Sequence, residues 1–144
     1  MRIVYHPDSA TMSDYALGQW LSATLAAIDN PPAPGIALDL GNPDYPWSFE
    51  PEYLADDRET SGGKCFSRIR ATRLQGMLNM SAVHSGELPA WRGWYAATLG
   101  FRRPFALRLP ELTVLGAVAP VKKFPLALVS LEEWAGQINV VEWL

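Results

Sequence analysis

The sequence predicts an α+β fold: a single domain with short, mostly antiparallel strands, two main helices and a proline-rich irregular segment. Two segments, near residues 13–29 and 88–99, carry apolar residues at helical spacing. Short β-prone runs bounded by turn residues fill much of the remaining chain. Residues 42–59 contain three prolines, which excludes a regular helix there. The 144 residues suit one domain, 1–144, that buries its own core.

The first helix is predicted over residues 13–29. Its apolar residues recur every three or four positions and therefore lie on one side. Thr11 or Ser13 can cap its start, and Asp14 adds negative charge to the positive end of the helix dipole. Asn30-Pro31-Pro32 ends it, because proline lacks the N–H and restricts the residue before it.

The second helix is predicted over residues 88–99, between Pro89 near its start and Gly100 just after it. Its six-residue stretch Trp94–Leu99 repeats the pattern of Trp20–Leu25, W-[LY]-[SA]-A-T-L, which indicates two helices that pack alike. Ser130 and Glu133 form a capping-box pattern that predicts a short third helix over 131–138. The predicted core comprises Leu17, Trp20, Leu21, Leu25, Ile28, Trp94, Leu99, Val114 and Trp134.

The strands are predicted from β-prone residues between turn signals. Residues 75–84 fit either a strand or a broken helix. Residues 42–59 are expected to form an irregular flap, over the core or across a neighbouring molecule, and residues 60–63 are the expected flexible point. The other predicted strands are 2–5, 36–40, 64–74, 105–109, 112–115, 126–129 and 139–144.

Charge is divided unevenly along the chain. Residues 1–60 hold ten acids and two bases, whereas residues 61–123 hold ten bases and two acids. One interpretation is that the two segments fold together and neutralise each other. The other is that identical copies pack head to tail, acidic face on basic face.

Few residues suggest chemistry. His6, His84 and Cys65 have no metal-ligand spacing and match no nucleophile motif, so we expect no catalytic residues, no metal and no cofactor. Ser61-Gly62-Gly63-Lys64 lacks the spacing of a phosphate-binding loop. The carboxylates of residues 56–59 fit a solvated or arginine-binding face better than an acid–base pair.

An interaction protein is therefore the expected class, because tryptophan, tyrosine and arginine are the residues that interfaces favour. The six tryptophans and the apolar C-terminal run support it. That run must be held in the chain's own sheet or against a partner. The interface candidates are Tyr45, Trp47, Tyr53, Arg68, Arg70, Val140, Val141, Trp143 and Leu144.

The segments Y-A-L-G-Q-W-L-S-A-T-L and S-L-E-E-W-A-G-Q-I, joined by proline-rich stretches, resemble the Trp-led helices of small accessory virion proteins of tailed bacteriophages. The resemblance implies a head-decoration, head–tail joining or tail component, present in symmetric copies and without enzymatic activity. Its partners would be copies of itself or other virion proteins.

Other classes stay open: an inhibitor or adaptor that binds a host protein, a nucleic-acid-binding protein that uses the basic region 64–123, and an enzyme whose residues converge only in space. Nucleic-acid binding is less favoured because the chain is acidic overall, with a net charge of −3. The sequence shows no signal peptide and no apolar run that could cross a membrane, so we expect a virion or cytoplasmic location.

Overall fold

The computed structural model describes residues 1–143, apart from the side chain of Leu112. Its two α-helices are α1 (Asp14–Ala26) and α2 (Leu88–Ala97). The eight strands are β1 (Arg2–Tyr5), β2 (Ile36–Asp39), β3 (Glu50–Glu59), β4 (Cys65–His84), β5 (Phe105–Leu109), β6 (Thr113–Val118), β7 (Leu126–Leu128) and β8 (Glu133–Glu142).

All eight strands belong to one sheet, in the order β2-β1-β5-β6-β8-β4-β3, with β7 paired to β8. Every pairing is antiparallel. The α+β class is thus observed, with more β-structure than helix. Three strands are long, so the expectation of short strands is wrong for β3, β4 and β8.

The two helices pack on opposite faces of the sheet. Successive side chains of a strand point to opposite faces, so neighbouring residues of β1 contact different helices. On one face, Val4 of β1 packs with Leu21 and Ile28 from the segment of α1. On the other face, Ile3 and Trp94 belong to a larger apolar cluster that also draws residues from β4 and β8.

The helix starts follow the sequence pattern. Of the two candidate caps of α1, Ser13 is the one used: its side chain accepts a hydrogen bond from the Ala16 amide at 3.2 Å. The apolar stripe of α2 buries Trp91 and Trp94 completely, with ring centroids 5.4 Å apart. The Trp94 ring also lies 4.2 Å from Phe101 and 4.8 Å from Phe105, centroid to centroid.

Two core predictions are wrong. Leu99 is half exposed, because the chain has left the helix there and its φ of 53° turns the residue away. Val114 is exposed on the outward side of β6. Trp20, Leu25 and Trp134 are partly buried against the core, and the other predicted core residues are buried.

The predicted third helix over 131–138 does not form. In its place, the Val129 and Ser130 amides donate to the Glu133 carbonyl across a tight turn, and β8 begins. Pairing with β4 on one edge, and with β7 and β6 on the other, outweighs the local capping pattern. The ambiguous segment 75–84 is the second half of β4.

Candidate interaction surface

The most distinctive feature of the surface is a long β-hairpin, which we call the arm: residues 50–74, comprising β3, the turn Thr60–Lys64 and the first ten residues of β4. Strand β3 forms an edge of the sheet. On its other side β4 meets β8, but the paired residues begin only at Gln75. Among the described residues, the arm is therefore a two-stranded ribbon with both outer edges unpaired.

The register of the arm places its charges opposite each other. Glu52 lies opposite Arg73, and their side chains form an ion pair at 2.6 Å. The register shifts between Leu54 and Ala55, which leaves Arg70 as an extra residue of β4, a β-bulge. The Arg70 guanidinium then reaches Asp56 at 3.2 Å. Because opposed residues share a face, these ion pairs lie on one face of the ribbon.

Apolar side chains stand in solvent on the arm. Tyr53 is 60% exposed and Ile69 is 58% exposed, and both lie on the face opposite the ion pairs. Phe66 is 59% exposed on the ion-pair face, opposite Arg58. Tyr53 and Ile69 share one face, so that face of the arm has the aromatic and apolar side chains that contact surfaces favour.

The tip of the arm is a defined turn at the expected flexible point. The Thr60 amide donates to the Lys64 carbonyl at 2.8 Å, and the Gly63 amide donates to the Thr60 carbonyl at 2.9 Å. Gly63 has a φ of 80°, a conformation that side chains disfavour. Residues 60–63 therefore reverse the chain between two paired strands.

The two strands of the arm carry opposite charge. Strand β3 holds Glu50, Glu52, Asp56, Asp57 and Glu59 against the single Arg58. The arm portion of β4 holds three arginines and no acid, and Lys64 precedes it in the turn. The arm is neutral as a whole, with one acidic edge and one basic edge.

The base of the arm is anchored by the segment that precedes it. Trp47 and Phe49 pack against the larger apolar cluster, and the Asp44 amide donates to the Asn79 carbonyl at 2.7 Å. This segment passes so close to β4 that a Cβ at Gly76 would lie 2.8 Å from the Ser48 carbonyl oxygen. The expected flap is thus irregular only as far as Phe49, and β3 continues from Glu50.

The structure separates the predicted interface residues into two groups. Tyr45, Tyr53, Arg68 and Arg70 are exposed, the last three on the arm. Trp47 is partly buried on the core, and so is Trp143, whose ring approaches Gly18 of α1.

The C-terminal run lies mainly in β8, so the chain's own sheet holds it. Val140 is 1% exposed and belongs to the core, which removes it as an interface residue of the folded chain. Val141 is half-buried and pairs with Gln75 and Val118. Leu144 lies outside the described residues.

The basic region is partly engaged with the acidic first segment. Four of its arginines form ion pairs with acids of residues 1–60. Arg92 lies over the rings of Phe124 and Trp134, with its Cζ atom 5.6 and 5.9 Å from their centroids. These contacts support neutralisation within the chain and leave fewer cations for phosphate groups. The four arginines are Arg70, Arg73, Arg103 and Arg108.

The three residues considered for chemistry lie apart in the fold. His6 is buried, and its Nδ1 accepts from the Asp8 amide at 3.0 Å. His84 is exposed at the end of β4, and Cys65 is exposed at the tip of the arm. Within residues 1–143, no cluster of three or more histidine, cysteine or acidic side chains could hold a metal ion. No helix in the described part of the chain is long and apolar enough to span a membrane.

Comparison of the chain with protein-family models, with curated proteins and with solved structures finds no match in any of the three.

Sequence reasoning missed the arm as an element. Part of its signal was present: acids precede Thr60–Gly63 and arginines follow it, and Asp56 and Arg68 stand at equal distances from Gly62. It also missed the exposed apolar turn between β7 and β8, where Leu128, Val129 and Leu131 lie in solvent.

Proposed function

We propose that this chain is a non-enzymatic structural protein that assembles in symmetric copies through the arm, as a component of a tailed-bacteriophage virion. The part that it forms would be a head decoration, a head–tail joint or a tail element. The observation that carries the assembly is the arm, a ribbon with two unpaired edges and exposed apolar side chains.

Two physical arguments support a partner for the arm. An isolated two-stranded ribbon is only marginally stable in water, so further strands or a packed face would stabilise it. An unpaired edge also presents a row of backbone donors and acceptors that another chain can use. The exposed Tyr53 and the arginines add the side chains that interfaces favour.

The virion part of the proposal rests on the resemblance of the segment around Trp20 and of the proline-rich connections. The second Trp-led segment, around Trp134, is a strand, so it no longer contributes a helix to that resemblance. Negative-stain electron microscopy of the purified chain tests this part: rings or tubes support it. A protein that binds a non-viral partner as a monomer would favour the adaptor alternative.

The assembly part is tested by a shortened-arm variant in which Asn-Gly replaces residues 56–68 and joins Ala55 to Ile69. These two residues are paired, so a two-residue turn closes the hairpin. The removed residues are exposed and lie outside both apolar clusters, so the core should fold as before, and circular dichroism should show only the loss of the strand residues 56–59 and 65–68. Mass photometry and sedimentation velocity should show oligomers for the full chain and monomers for the variant.

Leu131→Asn is the matched control, because it removes an exposed apolar side chain from the β7–β8 turn instead of the arm. It should assemble like the full chain. A full chain that stays monomeric at high micromolar concentration, or a shortened variant that assembles normally, contradicts the proposal.

A further inference from the structure

We propose, resting on the assembly proposed above, that the partner of the arm is a basic patch on the body of a second copy of this chain. The docking surface of the arm is the face opposite the ion pairs, which we call the acidic face. The basic patch consists of Arg92, Arg102, Lys122 and Lys123. Opposite charge, and exposed apolar side chains on both surfaces, lead to this pairing.

The register of the hairpin defines the acidic face. Asp57 and Glu59 lie an even number of positions from Tyr53 along β3, so the three side chains leave the same face. Ile69 of β4 joins them, whereas the four arginines of β3 and the arm portion of β4 belong to the other face. Neither acid forms an ion pair within residues 1–143. The acidic face therefore offers two carboxylates beside two exposed apolar side chains.

Contacts at both ends of one loop hold the two lysines of the basic patch in place. Before them, the Val121 amide donates to the Gly100 carbonyl at 3.3 Å. After them, the Phe124 ring lies beneath Arg92 of α2, whose Cζ atom is 5.6 Å from the ring centroid. Lys122–Lys123 is exposed between these two anchors, so its cations lie between α2 and the turn that follows it.

That turn holds Arg102 at the other side of the basic patch. Its Nη1 donates to the Leu99 carbonyl at 3.0 Å. Leu99, Gly100 and Phe101 have φ values of 53°, 71° and 61°, and successive left-handed residues are rare outside glycine. Strain of this kind is found at sites that bind a partner. Here it presents Leu99, which is 50% exposed, beside the Arg102 guanidinium.

Ion pairs do not neutralise the basic patch. All four of its residues are exposed, and in the described part of the chain none of them pairs with a carboxylate. Arg103, which follows Arg102, is the residue that pairs with Asp14. The positive charge of the patch is thus available to a partner.

The arm of a chain does not reach the basic patch of the same chain. Strand β4 continues from the arm into the body, so the arm points away from it. Asp57 and Glu59 lie seven and nine residues beyond Glu50, which is about 23–30 Å of extended strand. This length lets the acidic face lie on a second copy while the two bodies stay apart.

A nucleic acid is the alternative partner for four cations, and it explains the two surfaces less well. Phosphate groups would leave the exposed Leu99 without an apolar partner, and Asp57 and Glu59 would repel them. A second copy supplies carboxylates for the cations and also Tyr53 and Ile69 for Leu99.

The test uses two variants of the full chain. Asp57→Lys/Glu59→Lys makes the acidic face basic, and Lys122→Glu/Lys123→Glu removes the net positive charge of the basic patch. All four positions are exposed. Circular dichroism checks the folding of each variant, and sedimentation velocity with mass photometry measures self-association.

Each variant alone should lose roughly ten-fold or more in apparent affinity for itself at about 0.05 M salt, where charge screening is weak. The two variants change the net charge in opposite directions, so a loss in both does not follow from net charge. An equimolar mixture should form mixed pairs, because the acidic face of the lysine variant meets the unaltered patch of the other variant. Growth should stop there, since the two remaining surfaces no longer attract each other.

Two controls should self-associate like the unaltered chain. Ser67→Ala removes the hydrogen bond from the Ser67 hydroxyl to Asp57, which Asp57→Lys also removes, without changing charge. Arg58→Glu reverses an exposed charge on the ion-pair face of the same arm.

Unchanged self-association of either two-residue variant overturns the inference. So does loss in both without mixed pairs, or an equal loss in Arg58→Glu, since the contact would then use another surface. Labelled single-stranded DNA that binds the unaltered chain but not Lys122→Glu/Lys123→Glu, while this variant still self-associates, assigns the basic patch to nucleic acid and also overturns it.

These results leave the proposed assembly intact if the full chain associates and the shortened arm is monomeric. A full chain that stays monomeric, or a shortened arm that assembles normally, overturns both proposals.

Discussion

At the scale of single residues, Gly136 shows how close the chain at the start of β7 lies to the backbone of β8. A Cβ at this position would lie 2.0 Å from the Pro125 carbonyl oxygen, a backbone atom that cannot turn aside. A side chain would therefore push the start of β7 away from β8.

We expect Gly136→Ala to lower the free energy of unfolding by about 1–3 kcal/mol, the usual cost of overpacking. Gly62→Ala is the control, because a Cβ there has no neighbour closer than 4.0 Å. Urea unfolding followed by tryptophan fluorescence measures both. Equal stability of the two variants would contradict the close approach.

Tyr5 is a second residue whose surroundings have a measurable consequence. Its side chain lies in the core, and burial raises the pKa of the Tyr5 hydroxyl above the usual value of 10.0, since the charged form is disfavoured there. Between pH 10 and that raised pKa, the folded state keeps a proton that the unfolded state has lost. The free energy of unfolding therefore falls as the pH rises through this range.

We expect Tyr5→Phe to lose less stability than the unaltered chain when urea unfolding is compared at pH 8 and pH 11. Tyr15→Phe, at an exposed position of α1, should follow the unaltered chain. The idea fails if Tyr5→Phe and Tyr15→Phe show the same fall in stability.

At the scale of elements, β8 joins the two parts of the sheet. It pairs with β4 on one edge, and near its C-terminal end Val141 and Glu142 pair with Val118 and Ala117 of β6. In the strand order of the described chain, the β6–β8 pairing connects β2, β1, β5 and β6 with β8, β4 and β3. The apolar C-terminal run is thus a structural part of the core.

We expect Val140→Ala to lower the free energy of unfolding by about 2 kcal/mol, from lost burial and the cavity left behind. Val129→Ala removes the same atoms from a side chain that is 59% exposed and should change stability by less than about 0.5 kcal/mol. Thermal and urea unfolding measure the pair. Similar losses for both would mean that β8 is not held as described.

The arm differs from β8 because residues 56–70 are exposed and only its base is partly covered. Beyond the base, its stability within the monomer depends on cross-strand pairs, which contribute about 0.2–1 kcal/mol each. Contact with a partner would stabilise such an element more than the rest of its own chain does. This is why we propose that the chain assembles through the arm.

At the scale of the whole molecule, the uneven charge of the sequence is partly neutralised within the chain. Arg103 and Arg108 reach back to Asp14 and Asp29, which joins the basic and acidic segments within one chain. The arm brings the end of the acidic segment beside the start of the basic one and leaves both edges in solvent. Partial neutralisation within the chain is observed, and assembly of copies through the arm is the proposal.

The sequence by itself determined the two helices and most of the short strands. Their signals are local: periodic apolar residues, a serine cap, and prolines or glycines at the ends. The buried faces of α1 and α2 follow from the same spacing, so the helical part of the core could be predicted from it. The strand residues that make up most of the core, such as Phe105 and Ile138, could not.

Only the tertiary structure decided the arm, the strand β8 and the fate of the C-terminal run. A strand is stabilised by partners that lie far away in the sequence, as Val140 is by Gly76, so no local pattern can specify it. The capping pattern at Ser130 is a local signal, and the pairing of β8 on both edges overrode it. Whether an apolar residue such as Val140 or Ile69 meets the core or the solvent was set by register, since a strand sends alternate side chains to opposite faces.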